Sequence, residues 1–227
     1  MKIFYEDSFL KISYLDSINA ERCIVAFTGI GHALGGIDIQ REEFFSLHKI
    51  GMVIWITDKT RSWGNNFNIE KISDLIIKIS KKKEIFVIGN SMGGFLGILF
   101  SKFLGAKKVL SFVPQFSVHP NIASFDNRWL NYTKNISNFR YKDLSNSFDH
   151  DIKYTLLLGD GKEEEAHYRL FANFSHYPNI ELIKLTGIQH NVAHYLKNLN
   201  LLNECINKFF SDKSLKNFFL ENSIKFK

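Results

Sequence analysis

The sequence predicts an α/β fold, a mostly parallel central sheet with helices on both faces. Three observations carry this. Short apolar runs such as Cys23-Ile24-Val25-Ala26-Phe27 and Met52-Val53-Ile54-Trp55-Ile56 read as strands buried on both faces. Stretches of helical length alternate with them, the pattern of strand–helix–strand crossovers in a parallel sheet. No internal repeat and no linker-like tract divides the 227 residues, so the reading is one domain spanning 1–227.

Two short strands open the chain, near Ile3–Tyr5 and Lys11–Leu15. The run Cys23–Phe27 follows, then the loop Thr28-Gly29-Ile30-Gly31-His32-Ala33-Leu34-Gly35-Gly36. A short helix is expected from Gln40 to His48. The strand Met52–Ile56 ends at Thr57-Asp58. Residues Asn68–Lys82 form an amphipathic helix, with Ile69, Ile72, Leu75, Ile76 and Ile79 on one 3.6-residue stripe. Ile85-Phe86-Val87-Ile88 is a buried strand, and Phe95–Leu104 has helical length with Gly105 where a helix would end. Val109–Val113 is a strand stopped by Pro114. Residues 115–150 lose clean periodicity, hold one helix near Asn127–Asn135, and read as a cap or lid insertion. Tyr154–Leu158 is a strand ending in Gly159-Asp160-Gly161. A helix covers about Glu163–Phe174, the strand Ile180–Leu185 follows, and the loop Thr186–His190 leads to a last long helix. That helix carries Val192, Leu196, Leu199, Leu202, Ile206 and Phe209 on one stripe.

Composition narrows the function. The net charge of +6 is modest and reads as a solvated face, with a basic rim for an anionic substrate as the sharper alternative. There is no nucleic-acid motif. The two cysteines, Cys23 and Cys205, form no disulfide framework and have no metal spacing. Acidic residues stand where a signal peptide would be apolar, and no run has the length of a membrane span. A cytoplasmic setting without metal or organic cofactor is the expectation.

The segment Gly89-Asn90-Ser91-Met92-Gly93-Gly94 joins a strand to a helix. A Gly-x-Ser-x-Gly in that context is a nucleophile elbow: a tight turn lifts the serine hydroxyl clear of the sheet, at a helix N-terminus that favours negative charge. A serine needs a base, and the base needs an orienting acid. Strand-end loops supply Asp160 and His190 in chain order after Ser91. On these residues the chain resembles the α/β-hydrolase family: Gly89–Gly93, then Leu156-Leu157-Leu158-Gly159-Asp160, then Gly187-Ile188-Gln189-His190. The resemblance covers nearly the whole chain in element order and implies the triad Ser91, His190, Asp160. Asp126, Asp143, Asp149 and Asp151 are rival acids, none of them at the end of an expected strand. His194 is a rival base, placed by helical geometry on the face turned from the sheet. The oxyanion donors expected are the N–H groups of Met92 and Ile30, with Gly29 or Gly31 as alternatives to Ile30. The family often has His-Gly-x there, and this chain has Thr28-Gly29-Ile30-Gly31.

Arg61 and Trp63, in the loop after Asp58, and Gln115, after Pro114, are candidate substrate-binding residues. Together these readings predict a serine hydrolase that cleaves an ester-type acyl bond through an acyl-enzyme. The substrate would be a small molecule or a sugar-linked acyl ester. A thioesterase or acyltransferase with the same triad is the alternative within chemistry. A non-catalytic accessory protein on the same scaffold is the alternative outside it. The oligomeric state is not legible.

Overall fold

The computed structural model describes residues 1–17, 20–34, 37–81 and 83–227. Gly35 and Gly36 of the glycine-rich loop, and Lys82 at the end of the amphipathic helix, lie outside the described residues. Strands β1 (Lys2–Glu6) and β2 (Leu10–Leu15) open the chain, followed by β3 (Arg22–Phe27) and β6 (Met52–Asp58). Between the last two, β4 (His32–Leu34) and β5 (Ile37–Ile39) pair antiparallel as a separate small sheet, an element the sequence did not signal. The main sheet is completed by β7 (Glu84–Asn90), β8 (Lys108–Phe112), β9 (Lys153–Leu158) and β10 (Ile180–Lys184). Its order is β1-β2-β6-β3-β7-β8-β9-β10. The two pairings at the β1–β2–β6 edge are antiparallel and all others are parallel.

The alternation of side chains along each strand divides the core in two. Val25 and Phe27 with Ile54 and Ile56 face one layer, formed by α1 (Ile69–Ser80), α2 (Met92–Ser101) and α4 (Lys162–Ala172). Ile24 and Ala26 with Val53 and Trp55 face the other, formed by α5 (Val192–Asn198), α6 (Leu202–Phe210) and α7 (Leu215–Glu221). Every residue of β6 is buried, and Met52–Ile56 within it is apolar without polar alternation. Cys23 and Cys205 are buried and free, and burial pushes the Cys23 thiol up to about 12. Among the described residues no helix is long and apolar enough to cross a membrane.

Three expectations change at the level of elements. The helix expected over Gln40–His48 is a short 3-10 turn at Phe45–Lys49. The expected helix near Asn127–Asn135 is a 3-10 turn at Asn127–Trp129 running into the single-turn α3 (Leu130–Thr133). The last long helix is two. Asn200 takes φ 60, and the Leu201 N–H returns to the Leu196 carbonyl at 2.8 Å, closing α5 in the left-handed cap geometry that asparagine tolerates. Leu199, expected on the buried stripe, is exposed at that break.

Candidate active site

The site is assembled at the carboxyl ends of the parallel strands, where loops are free to carry chemistry. Ser91 stands between β7 and α2 with φ 56 and ψ −120, a conformation no ordinary L-residue prefers. Two glycines make the turn possible. A Cβ on Gly89 would lie 2.1 Å from the Gly93 carbonyl oxygen, and one on Gly93 would lie 2.1 Å from the Phe27 carbonyl oxygen. The Ser91 N–H donates to the Phe112 carbonyl at 2.8 Å, which ties the turn to β8. No side chain caps α2, and Ser91 is 5 % exposed.

The Ser91 hydroxyl is 2.8 Å from His190 Nε2, the geometry in which it donates to the imidazole. His190 Nδ1 is 2.8 Å from Glu164 Oε1 and donates to it. The acid on the histidine is therefore Glu164, in the first turn of α4, rather than Asp160. Asp160 lies at the β9 end as expected, but it is exposed and its carboxylate accepts the Gly187 N–H at 2.8 Å. That bond ties the loop after β9 to the loop after β10. His194 is exposed on α5, and its Nδ1 sits 3.4 Å from Asn198 Nδ2.

Glu164 is 2 % exposed and holds two partners on one oxygen. Arg128 Nη1 donates to Oε1 at 2.6 Å, beside His190. Burial opposes ionisation of Glu164. The hydrogen bonds from His190 and Arg128, with the Arg128 charge, outweigh it and hold the carboxyl down to about 2. Arg128 is in turn gripped by Asp126, through Nε at 2.8 Å and Nη2 at 2.7 Å. Burial opposes the Asp126 charge too, and Arg128 and His167 hold its carboxyl well below the usual range. His167 Nδ1 accepts the Phe116 N–H at 3.2 Å, so Nε2 carries the proton and donates to Asp126 at 3.1 Å. Trp129 closes over the site, its ring 5.1 Å from His190 and 6.5 Å from Trp63.

Of the candidate binding residues, Trp63 and Gln115 come together and both are fully buried. The Trp63 indole donates to Gln115 Oε1 at 3.1 Å, and the Gln115 amide donates to Ser91 Oγ at 3.0 Å. Arg61 donates to the Ile30 carbonyl at 3.2 Å and to the Lys59 carbonyl at 2.7 Å, with its guanidinium 5.9 Å from the Tyr132 ring. Met92 begins α2. Ile30 follows β3, and the neighbouring Gly29 N–H is taken by Glu43 Oε1 at 3.0 Å, which removes Gly29 as a free donor. Ser91, Arg61, Trp63 and Val113 all have positive φ, at 56, 51, 49 and 41. Each such residue costs on the order of 1–3 kcal/mol.

Sequence reasoning missed Glu164, although a signal was present. Glu164, His167 and Phe171 share the buried stripe of α4. An acid on such a stripe needs a partner.

No family model matches the chain, and no curated protein matches it. Solved structures do. The capsule O-acetyltransferase of Neisseria meningitidis serogroup A superposes with a TM-score of 0.62 at 16% identity, over 86% of this chain and 91% of that one. Est1E from Butyrivibrio proteoclasticus gives 0.61 at 19% identity, over 93% and 97%. An α/β serine hydrolase without a lid from Xanthomonas campestris gives 0.53 at 12% identity, over 88% and 89%. At these identities the likeness is one of fold.

Proposed function

We propose that this chain, which has the α/β-hydrolase fold, is a serine hydrolase that cleaves an ester-type acyl bond through an acyl-enzyme. One observation carries the reading: the unbroken line Ser91 Oγ, His190 Nε2, His190 Nδ1, Glu164 Oε1, with both hydrogen bonds at 2.8 Å. In that line Ser91 attacks the carbonyl carbon as its proton passes to His190, and Glu164 holds the ring and stabilises the imidazolium. The carbonyl electron pair moves to oxygen, where the Met92 and Ile30 N–H groups are the donors proposed. Collapse expels the alcohol, which takes the proton from His190. A second acceptor then repeats the steps on the acyl-enzyme.

Water as that acceptor makes the protein an esterase. Transfer to another hydroxyl is the second reading, supported by the fold shared with the capsule O-acetyltransferase, a mutant of which has been solved in complex with CoA. Residues 115–150, between β8 and β9, are proposed as the cap that selects the substrate, since Arg128 and Trp129 reach the histidine–acid pair from there.

The test is labelling by a fluorophosphonate together with turnover of oxygen ester and thioester substrates of equal acyl length. Wild type should label and turn over, and a folded Ser91→Ala should do neither, with kcat down on the order of 10³-fold or more. Unchanged turnover in Ser91→Ala overturns the proposal.

A further inference from the structure

We propose that Gln115 is a catalytic residue that donates a hydrogen bond to the reacting oxygen of Ser91, and that Trp63 is the positioning residue that fixes its amide. This rests on the serine-nucleophile reading above. A glutamine amide has two faces of opposite character, and an indole N–H is a donor only. With the Trp63 indole 3.1 Å from Gln115 Oε1, the oxygen is committed to the tryptophan and the NH₂ group must face Ser91 Oγ, 3.0 Å away. Both side chains are fully buried, so water does not compete for either group.

The chain is built at some expense to hold this pair. Trp63 has φ 49 and is followed by Gly64 at φ 82. The buried Asp58 carboxylate clasps the loop, accepting from the N–H groups of Thr60 at 3.1 Å, Ser62 at 2.9 Å and Gly64 at 3.2 Å. Asn65 Oδ1 accepts the Tyr141 N–H at 2.9 Å, fastening the same loop to the 115–150 segment. On the other side, Val113 turns sharply out of β8 at φ 41 and delivers Pro114 and Gln115. Branched Val113 and bulky Trp63 in the left-handed region serve a single contact between their two loops.

Seen from Ser91, the oxygen has two partners. It donates its proton to His190 and accepts one from Gln115. During attack the Oγ–H bond breaks toward His190 while the Oγ–carbon bond forms. In deacylation the Oγ–carbon bond breaks and Oγ recovers a proton from His190. In both transition states Oγ carries negative charge that it lacks in the resting enzyme and in the acyl ester. A fixed N–H aimed at that oxygen is stronger when the charge is present, which lowers both barriers.

The experiment uses the full chain with p-nitrophenyl acetate, following the acylation burst and steady state in Gln115→Met, Trp63→Phe and the double variant, with thermal melting as the check on folding. Gln115→Met should slow acylation on the order of 10²-fold with KM changed by less than about 3-fold. Trp63→Phe should slow it about 10-fold, and the double variant should be no slower than Gln115→Met, because the tryptophan acts only through the amide. If Gln115→Met does not fold, the isosteric Gln115→Glu serves instead and should be at least as slow. Wild-type acylation in the folded variant overturns the catalytic role, as does an effect confined to KM. Multiplying effects in the double variant overturn the role of Trp63. Should Ser91→Ala stay fully active, the serine reading itself fails; should Ser91→Ala be dead while Gln115→Met acylates normally, only this inference does.

Discussion

Glu164 Oε1 accepts from His190 Nδ1 at 2.8 Å and from Arg128 Nη1 at 2.6 Å, so one oxygen serves both an imidazole and a guanidinium. Such partners hold the carboxyl down to about 2, so it is ionised near neutral pH, as the proposed stabilisation of an imidazolium requires. Glu164→Gln keeps the shape and removes the charge. Its kcat should fall by ~10²–10⁴-fold, while Asp160→Asn should stay within a few-fold of wild type. Steady-state kinetics of the two purified variants decide the matter; the reverse ranking would return the acid's role to Asp160. The Ser91–His190 pairing was legible because each residue follows a strand end in a loop that holds glycine, Gly89 and Gly93 around Ser91 and Gly187 before His190. The acid was not, because a helix carries it one turn beyond the strand end. Read by position, Asp160 occupies the expected place; read by burial, Glu164 is the residue that must have a partner, and only tertiary packing reveals how deep that face of α4 lies.

At the scale of elements, patterning served best where a stripe was long and uniform. The stripe over residues 68–82 matches α1, whose Ile69, Ile72, Ile76 and Ile79 are buried and whose Asn68 side chain accepts the Lys71 N–H at 2.7 Å. The helix closes on Lys81, held at φ 55. Lysine is a poor occupant of the left-handed region and glycine a good one. Lys81→Gly should therefore raise stability by about 0.5–1 kcal/mol, less whatever the exposed Lys81–Asp16 ion pair contributes. Urea unfolding of the two proteins checks this, and a clear destabilisation would mean that the ion pair outweighs the backbone. Periodicity was a poor guide where two stripes share a phase. Val192 and Leu196 of α5 and Ile206 and Phe209 of α6 are all buried, so the apolar positions read through the break at Asn200 as one helix. The 115–150 segment gave no periodic signal because it is organised by polar contacts: Asp126 with Arg128, Ser117 with the Lys142 carbonyl, and Asn65 with Tyr141.

Across the whole molecule, the ends of two neighbouring strands are joined at the site by a side chain from outside the sheet. Glu43 accepts the Gly29 N–H at 3.0 Å and hydrogen-bonds the Asn90 side chain, linking the loop after β3 to the residue before Ser91. Burial pushes its carboxyl up to about 7, against the opposing effect of those two hydrogen bonds. The folded protein therefore binds a proton there that the unfolded chain releases near 4.5. Stability from this group is complete below about 4.5 and is lost as pH rises through about 7. Glu43→Gln should leave the melting temperature near wild type at about pH 4.5 and raise it by a few °C at about pH 8. Parallel melting curves at both pH values would show that Glu43 titrates as an ordinary exposed acid.

The shared oxygen of Glu164 has a consequence for ancestry. Loops at strand ends are the parts of such a fold that lineages trade most freely, the strands and helices beneath them staying put. Here Arg128 comes from the loop and Glu164 from a core helix. A descendant that exchanged the 115–150 loop would inherit Ser91, His190 and Glu164 intact, with a buried carboxylate stripped of the Arg128 guanidinium. Loop and helix must pass down together, and neither is a transferable unit.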